Sequence, residues 1–158
     1  MWRTGHPVIK QKMKEVRAEL AGEMSGHMFF IDRYFGYDDA IYATCRLLEI
    51  VGSSGKTVSE LLSDVPETFS TPEIRIPCPD DKKFRIVQNM TDHFRKTHEI
   101  IDIDGVRVLF EKGWGLVRAS NTQPVLVLRF EALSADRLGE IQRLVETVLA
   151  EKVKKHQD

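Results

Sequence analysis

The sequence has few cysteines, almost no net charge and no long apolar run. Its two cysteines lie in unlike surroundings without a CxxC spacing, which excludes a cysteine-based redox or metal motif and indicates a reducing compartment, by default the cytoplasm. The 23 lysines and arginines are matched by 24 aspartates and glutamates, so no basic field for nucleic acid is present. No stretch has the apolar length of a signal-peptide core or a membrane span, and no membrane partner is expected.

Motifs for independent catalysis are also missing. The sequence contains no P-loop, no H-E-x-x-H pair and no Ser/His/Asp order, so hydrolase or kinase chemistry has no support. His93 and His98 lie across the end of a predicted helix, at a spacing that suits surface residues better than paired metal ligands. We therefore assign no catalytic residue and no metal ligand within the chain.

The first part of the chain has helical patterns but few strands. Amphipathic spacing predicts a helix over residues 7–20, and Asp38 and Asp39 are expected to cap a second helix. One or two short strands cannot close a layered domain, so we predict an incomplete α/β segment over residues 1–65. The stretch 66–72, which contains two prolines, is predicted to be a linker or hinge.

The remainder predicts a compact α+β domain over residues 73–158. Alternating or apolar runs predict strands, two of which flank Asp104 and Gly105, a strong hairpin signal. Helices are predicted over residues 80–93 and from Ser134, the expected N-cap, to near the end of the chain. We expect a four-stranded antiparallel sheet with both helices packed on one face.

A polar loop between two of these strands carries the most specific chemistry. Residues 118–124 read Arg-Ala-Ser-Asn-Thr-Gln-Pro and lie between two apolar runs. The guanidinium of Arg118 is a planar, charged fork suited to a phosphate or carboxylate, and Ser120, Asn121 and Thr122 add neutral donors. The same residue types are common turn formers, so composition alone leaves a binding loop and an ordinary turn equally open.

Two motifs carry a resemblance to a known family. Residues 113–122, Gly-Trp-Gly-Leu-Val-Arg-Ala-Ser-Asn-Thr, closely resemble the phosphate-binding loop of the α-D-phosphohexomutases, in particular the bacterial phosphomannomutase/phosphoglucomutase members. Residues 22–27, Gly-Glu-Met-Ser-Gly-His, are similar to that family's sugar-recognition loop, and the motifs occur in the family's order. The resemblance implies the latter half of the family's third domain followed by its fourth, C-terminal domain.

The resemblance also implies roles for individual residues. Two sets of side chains are implied to bind substrate: for the phosphate Arg118, Ser120, Asn121 and Thr122, and for the sugar His6, Glu23, Ser25 and His27. On their own chemistry, Glu23 and Ser25 suit adjacent hydroxyl groups, whereas a hairpin turn with surface polar groups is the plain alternative. His27 is a candidate proton carrier or a structural hydrogen-bonding group.

By resemblance, the complete enzymes interconvert hexose 6-phosphate and hexose 1-phosphate through a phosphoserine, with magnesium and glucose 1,6-bisphosphate. The serine and the metal-binding aspartates belong to the family's first two domains, so no cofactor is expected to bind residues of this chain. We expect a C-terminal substrate-binding portion of such a mutase, with a hexose phosphate as ligand and no activity alone. The alternatives are a free-standing phosphosugar-binding or regulatory module and a domain without a ligand. Self-association through the incomplete first segment is a further expectation.

Overall fold

A computed structural model describes residues 1–155 of the chain. It contains two compact units, Met1–Val65 (unit 1) and Pro66–Asp158 (unit 2). Residues 156–158, which the predicted C-terminal domain included, lie outside the described residues. Every helix in the described part of the chain falls short of the length and apolar character that crossing a bilayer requires.

Unit 1 is built from three helices and a two-stranded antiparallel sheet. Its elements are α1 (His6–Val16), β1 (Leu20–Gly22), β2 (Met28–Phe30), α2 (Ala40–Ser54) and α3 (Val58–Leu61). The two strands pair along their whole length, which leaves residues 23–27 as a hairpin loop. Ile9 and Met13 of α1 pack against Phe29 of β2 and form the small core of this unit.

Helix α1 ends earlier than its apolar spacing predicts. The prediction extends it to Leu20, whereas the last helical residue is Val16. Arg17 adopts a left-handed conformation with φ 55°, and its backbone N–H bonds to the carbonyl of Met13. This bond satisfies a carbonyl at the helix end and turns the chain, so that Leu20 begins β1 instead.

Helix α2 exposes the apolar face that its sequence predicts. Asp39 is its N-cap and accepts a hydrogen bond from the backbone N–H of Tyr42, whereas Asp38, also predicted to cap the helix, bonds elsewhere. None of the residues of α2 is buried, and Ile41 and Leu48 are 79% and 63% exposed. The described residues therefore leave this apolar surface uncovered.

Unit 2 is an α+β domain with one antiparallel sheet and two helices. Its elements are β3 (Phe69–Ser70), β4 (Ile74–Pro77), α4 (Asp80–Phe94), β5 (Ile100–Ile101), β6 (Val106–Phe110), β7 (Gly113–Ala119), β8 (Val125–Ala132) and α5 (Ala135–Lys154). The strand order is β3-β8-β7-β6-β5, and β4 also pairs with β8, on the edge that β3 occupies. The α+β class is confirmed, but within residues 1–155 the sheet has six strands rather than the four predicted.

One strand that the sequence pattern does not reveal is β3. It lies within residues 66–72, where the two prolines predict a linker, and its two residues are too few to show an alternating pattern. Phe69 pairs with Ala132 and Ser70 with Glu131, so the partner strand β8 defines this strand.

Both helices of unit 2 pack on one face of the sheet. The buried core joins the helix residues Ile86, Met90, Phe94, Ile141, Val145 and Leu149 to the strand residues Val106, Val108, Val117, Leu126, Leu128 and Phe130. At Gly115 of β7, a Cβ atom would lie 3.0 Å from the ring of Phe130 and 3.2 Å from Val145, so α5 approaches the sheet where a side chain is missing. Because side chains alternate along a strand, Val117 faces the helices and Arg118 faces away from them.

Candidate functional site

The hairpin loop of unit 1 is fastened by Glu23. The loop closes through a bond of 2.9 Å from the backbone N–H of Glu23 to the carbonyl of His27. One carboxylate oxygen of Glu23 accepts the backbone N–H of Gly5 at 3.0 Å, and the other accepts the hydroxyl of Ser25 at 3.3 Å. Glu23 thus ties the loop to the residues that precede α1, and Ser25 stays exposed beside it.

The two histidines of unit 1 meet at Asp38. His27 Nδ1 lies 2.6 Å from Asp38 Oδ2, and Asp38 Oδ1 accepts the backbone N–H of Met28 at 3.0 Å. The backbone N–H of Asp38 in turn donates to His6 Nε2 at 3.3 Å. The hydrogen bond from His27, followed by that from Met28, holds the pKa of Asp38 below its ordinary value despite some burial.

All four residues predicted to bind the sugar are therefore connected within unit 1. Glu23 and Ser25 are bonded to each other, Glu23 is bonded to the residue next to His6, and Asp38 contacts both histidines. Sequence reasoning missed Asp38 because an acidic residue just before a helix is ordinarily explained as a cap. No local pattern marks a carboxylate that meets a hairpin loop more than ten residues away.

The polar loop of unit 2 is shaped by Ser120. Its Oγ accepts backbone N–H groups from Thr122 at 3.3 Å and from Gln123 at 3.2 Å. Its own N–H donates to the carbonyl of Val125 at 3.0 Å, and the residue is only 8% exposed. Ser120 therefore maintains the tight turn, and its hydroxyl hydrogen is what it can still offer to a ligand.

Arg118, predicted to lie in the polar loop, belongs to strand β7. Its guanidinium is 3.8 Å from the carboxylate of Asp104, which belongs to the turn between β5 and β6. Both side chains are about a quarter exposed, at 24% and 25%, so this is a loose, partly solvated pair. Among the described residues, the side chains of Asn121 and Thr122 have no hydrogen-bond partner. These three side chains therefore retain donors for a ligand.

A buried lysine supports this loop from beneath. Nζ of Lys83, in the first turn of α4, donates to the carbonyl of Gln123 at 3.0 Å and lies 2.5 Å from Asp80 Oδ1. The side chain is only 4% exposed. Arg75 of β4 donates to the side-chain oxygen of Gln123 at 2.7 Å. Lys83 thus holds the loop backbone, whereas Arg75 contacts only the Gln123 side chain. Lys83 was not predicted, because a single lysine in a helical pattern normally indicates a solvated face.

The loop of unit 2 suits an anion better than an acid–base reaction. The loop presents two hydroxyls and an amide, and Arg118 lies at the end of β7 that leads into it; the only ionisable group among them is the permanently charged guanidinium of Arg118. Such a set can hold and orient a phosphate without exchanging protons with it.

Comparisons with known proteins identify the family of the chain. The family model described as phosphoglucomutase/phosphomannomutase, alpha/beta/alpha domain III, matches residues 1–69, and the model of that family's C-terminal domain matches residues 73–148. The chain belongs to the phosphoglucomutase/phosphomannomutase family. The family resemblance stated from the sequence, to the third and fourth domains, is thereby confirmed.

Members of the phosphoglucomutase/phosphomannomutase family match nearly the whole chain but are much longer. A phosphomannomutase/phosphoglucomutase of Pseudomonas aeruginosa is 51% identical over 150 residues, which are 94% of this chain and 32% of the relative. A phosphoglucomutase of Neisseria gonorrhoeae is 46% identical over 152 residues, which are 94% of this chain and 33% of that relative. A crystal structure of a family protein from Burkholderia thailandensis matches with a TM-score of 0.83 and 41% identity, over 96% of this chain and 32% of that one. The chain thus spans about a third of these relatives.

The resemblance implies magnesium for complete enzymes of the phosphoglucomutase/phosphomannomutase family. The described residues of this chain offer no group of ligands for it. In residues 1–155, no three side chains of His, Cys, Asp or Glu are grouped so that they could hold a metal ion. The described residues therefore do not fit the ion.

Proposed function

We propose that this chain is the substrate-binding portion of a phosphohexomutase, an enzyme that interconverts hexose 6-phosphate and hexose 1-phosphate. The observation that carries the proposal is the loop of unit 2, in which Ser120 and Lys83 fix the backbone while Arg118, Asn121 and Thr122 keep donors for a ligand. A preorganised set of donors beside a guanidinium favours a doubly charged phosphate monoester.

The two units divide the recognition of the substrate between them. The unit 2 loop holds the phosphate group that is not being transferred. In unit 1, Glu23 and Ser25 bind sugar hydroxyls, since a carboxylate accepts and a hydroxyl both donates and accepts. Such groups can bind the hydroxyls of a sugar in either of two orientations. A mutase requires both orientations, because its bisphosphorylated intermediate presents each phosphate in turn. Phosphoryl transfer itself depends largely on this positioning.

We also propose a hinge between an N-terminal sugar-recognition domain, residues 1–65, and a C-terminal phosphate-binding domain, residues 73–158. The pairing of Phe69 and Ser70 with β8 ties the second half of the linker 66–72 to the sheet of unit 2. Bending is therefore confined to Pro66, Glu67 and Thr68, just before the first paired residue. A hinge of a few residues absorbs the backbone rotation that a domain motion requires.

The exposed apolar face of α2 supports the view that unit 1 works as part of a larger assembly. Ile41 and Leu48 are mostly exposed, and no residue of the helix is buried. Contiguous apolar surface of this kind is ordinarily covered in a working protein. The surface is suited to the remaining part of a mutase, which the chain does not span, or to a second copy of the chain.

Mutase turnover is expected to be absent from the chain alone. The purified chain is supplied with glucose 1-phosphate, glucose 1,6-bisphosphate and magnesium, and formation of glucose 6-phosphate is followed with a coupled assay. A complete family member, such as the Pseudomonas aeruginosa relative, serves as the positive control. Turnover by the chain would show that its own residues supply the phosphoryl donor, which contradicts a role in recognition only.

Binding of a hexose phosphate is expected to depend on Arg118. A charged hydrogen bond contributes about 1.5–3 kcal/mol, so Arg118→Ala should weaken binding roughly tenfold or more. The affinity of Arg118→Lys should lie between those of the parent chain and Arg118→Ala, because an ammonium keeps the charge but lacks the planar fork. Titrations of glucose 6-phosphate and mannose 6-phosphate, followed by backbone ¹H–¹⁵N shifts, measure the affinities.

The matched control for this titration is Arg85→Ala. Arg85 is an exposed residue of α4 in the same unit, and its removal changes the net charge by the same amount. This variant should bind like the parent chain. Equal affinities for the parent chain and Arg118→Ala would contradict the proposed phosphate site.

A further inference from the structure

Asp38 of unit 1 has a hydrogen-bond arrangement that fixes where protons reside. Its carboxylate accepts at both oxygens, from the backbone N–H of Met28 at Oδ1 and from His27 Nδ1 at Oδ2, the latter at 2.6 Å. A carboxylate with a lowered pKa is ionised near neutral pH and can only accept. Nδ1 of His27 must therefore carry a hydrogen.

The second histidine is constrained by the backbone of the same residue. The N–H of Asp38 can only donate, and it points to Nε2 of His6 at 3.3 Å. Nε2 of His6 must then accept this hydrogen bond, which places the ring hydrogen on Nδ1. The ring of His6 packs edge-on against the buried Phe29, which helps to keep its orientation.

The free nitrogens of the two rings are consequently different. Nε2 of His27 has no hydrogen-bond partner among residues 1–155, and the side chain is 54% exposed. With the ring hydrogen on Nδ1, this nitrogen is an acceptor. His6, in contrast, offers an Nδ1–H donor.

We propose that Asp38 is the positioning residue of this site. Its carboxylate places the hydrogen of His27 on Nδ1 and its backbone N–H places a lone pair on Nε2 of His6, so that His27 offers a sugar an acceptor and His6 offers it a donor. That a sugar is the ligand rests on the proposed function, whereas the positions of the ring hydrogens do not. Asp38 itself touches no ligand in this scheme and acts through the two histidines.

The decisive variant is Asp38→Asn, which keeps the shape of the side chain but provides only one acceptor. The backbone N–H of Met28 can only donate, so the amide oxygen remains with it. The amide nitrogen then faces His27 Nδ1 and donates to it, which moves the ring hydrogen to Nε2. Asp38→Asn is therefore expected to invert the tautomer of His27.

Long-range ¹H–¹⁵N correlation spectra of the histidine rings distinguish the two tautomers. They are recorded at about pH 8.5, roughly two units above the ordinary imidazole pKa. The parent chain should show His27 protonated at Nδ1, and Asp38→Asn should show it at Nε2. His6 should keep its Nδ1–H form in both, because its partner is the backbone of residue 38 and is retained.

Asp39→Asn is the matched control. The neighbouring Asp39 caps α2 without contacting either histidine, and asparagine caps a helix about as well. Its His27 spectrum should equal that of the parent chain. An unchanged His27 tautomer in Asp38→Asn, or an Nε2–H form in the parent chain, would overturn the proposal.

A titration with glucose 6-phosphate separates this proposal from the proposed function. In Asp38→Asn, Nε2 of His27 becomes a donor instead of an acceptor, so the affinity for glucose 6-phosphate should fall roughly five- to tenfold. The affinity of Asp39→Asn should equal that of the parent chain. If the parent chain binds no hexose phosphate, the proposed function fails while the tautomer result still decides the role of Asp38. If the tautomer inverts and affinity is unaltered, Asp38 sets the protons but the sugar does not use them, and the positioning role is refuted.

Discussion

Phe130→Ala is expected to lower the free energy of unfolding of unit 2 by about 3–5 kcal/mol, because it removes a fully buried ring and leaves a cavity. The ring is 0% exposed and lies against the position of Gly115, where no side chain of β7 could fill the space. Urea unfolding, followed by circular dichroism, measures the change. Phe130→Leu, which keeps most of the volume, should cost about 1 kcal/mol and remains measurable if the alanine variant does not fold.

The control for Phe130 is Phe84→Ala in the same unit. Phe84 lies on α4 and is 56% exposed, so its loss should change the free energy by less than about 1 kcal/mol. Similar costs for Phe84→Ala and Phe130→Ala would contradict the placement of the core between the helices and β8.

Gly105→Ala is expected to cost unit 2 about 2–4 kcal/mol and to weaken hexose phosphate binding several-fold. Gly105 has φ 79°, which an L side chain rarely adopts, and its Cβ would lie 2.4 Å from the carbonyl of Val117 and 2.5 Å from Cβ of Arg118. Relief of this clash must move β7 or the turn that carries Asp104, and both hold the guanidinium of Arg118 in place.

Urea unfolding and the glucose 6-phosphate titration measure the two effects of Gly105→Ala. Gly139→Ala in α5 is the matched control, since its Cβ would meet only the flexible end of Arg143 at 3.2 Å. That variant should be neutral or stabilising by up to about 1 kcal/mol, as alanine favours a helix over glycine. Retention of full stability and affinity in Gly105→Ala would mean that the turn does not constrain Arg118.

Local signals in the sequence predict much of unit 2. Asp104 and Gly105 form the turn of the predicted hairpin, and Ser134 is the N-cap of α5, where it accepts the backbone N–H of Arg137. The helix predicted over residues 80–93 is observed as Asp80–Phe94. These features are set by residues close in the chain, which explains why propensity and spacing suffice.

Features that depend on residues distant in the chain cannot be predicted from such local signals. β3 exists because β8 pairs with it, and Arg118 belongs to β7 because its pairing with Val127 extends that strand to Ala119. The loop motifs could be recognised by resemblance. The residues that support them, Asp38 and Lys83, became apparent only when the fold placed them against their loops.

Both edges of the sheet of unit 2 are formed by short strands, which are poor templates for the addition of another strand. One edge consists of β3 and β4, two short strands interrupted near Pro72, and the other is β5 with only two residues. A neighbouring molecule that tried to add a strand would find few consecutive free backbone groups, and Pro77 at the end of β4 has no N–H to offer. The long, apolar strands β7 and β8 lie inside the sheet and are not themselves edges to which another chain could add.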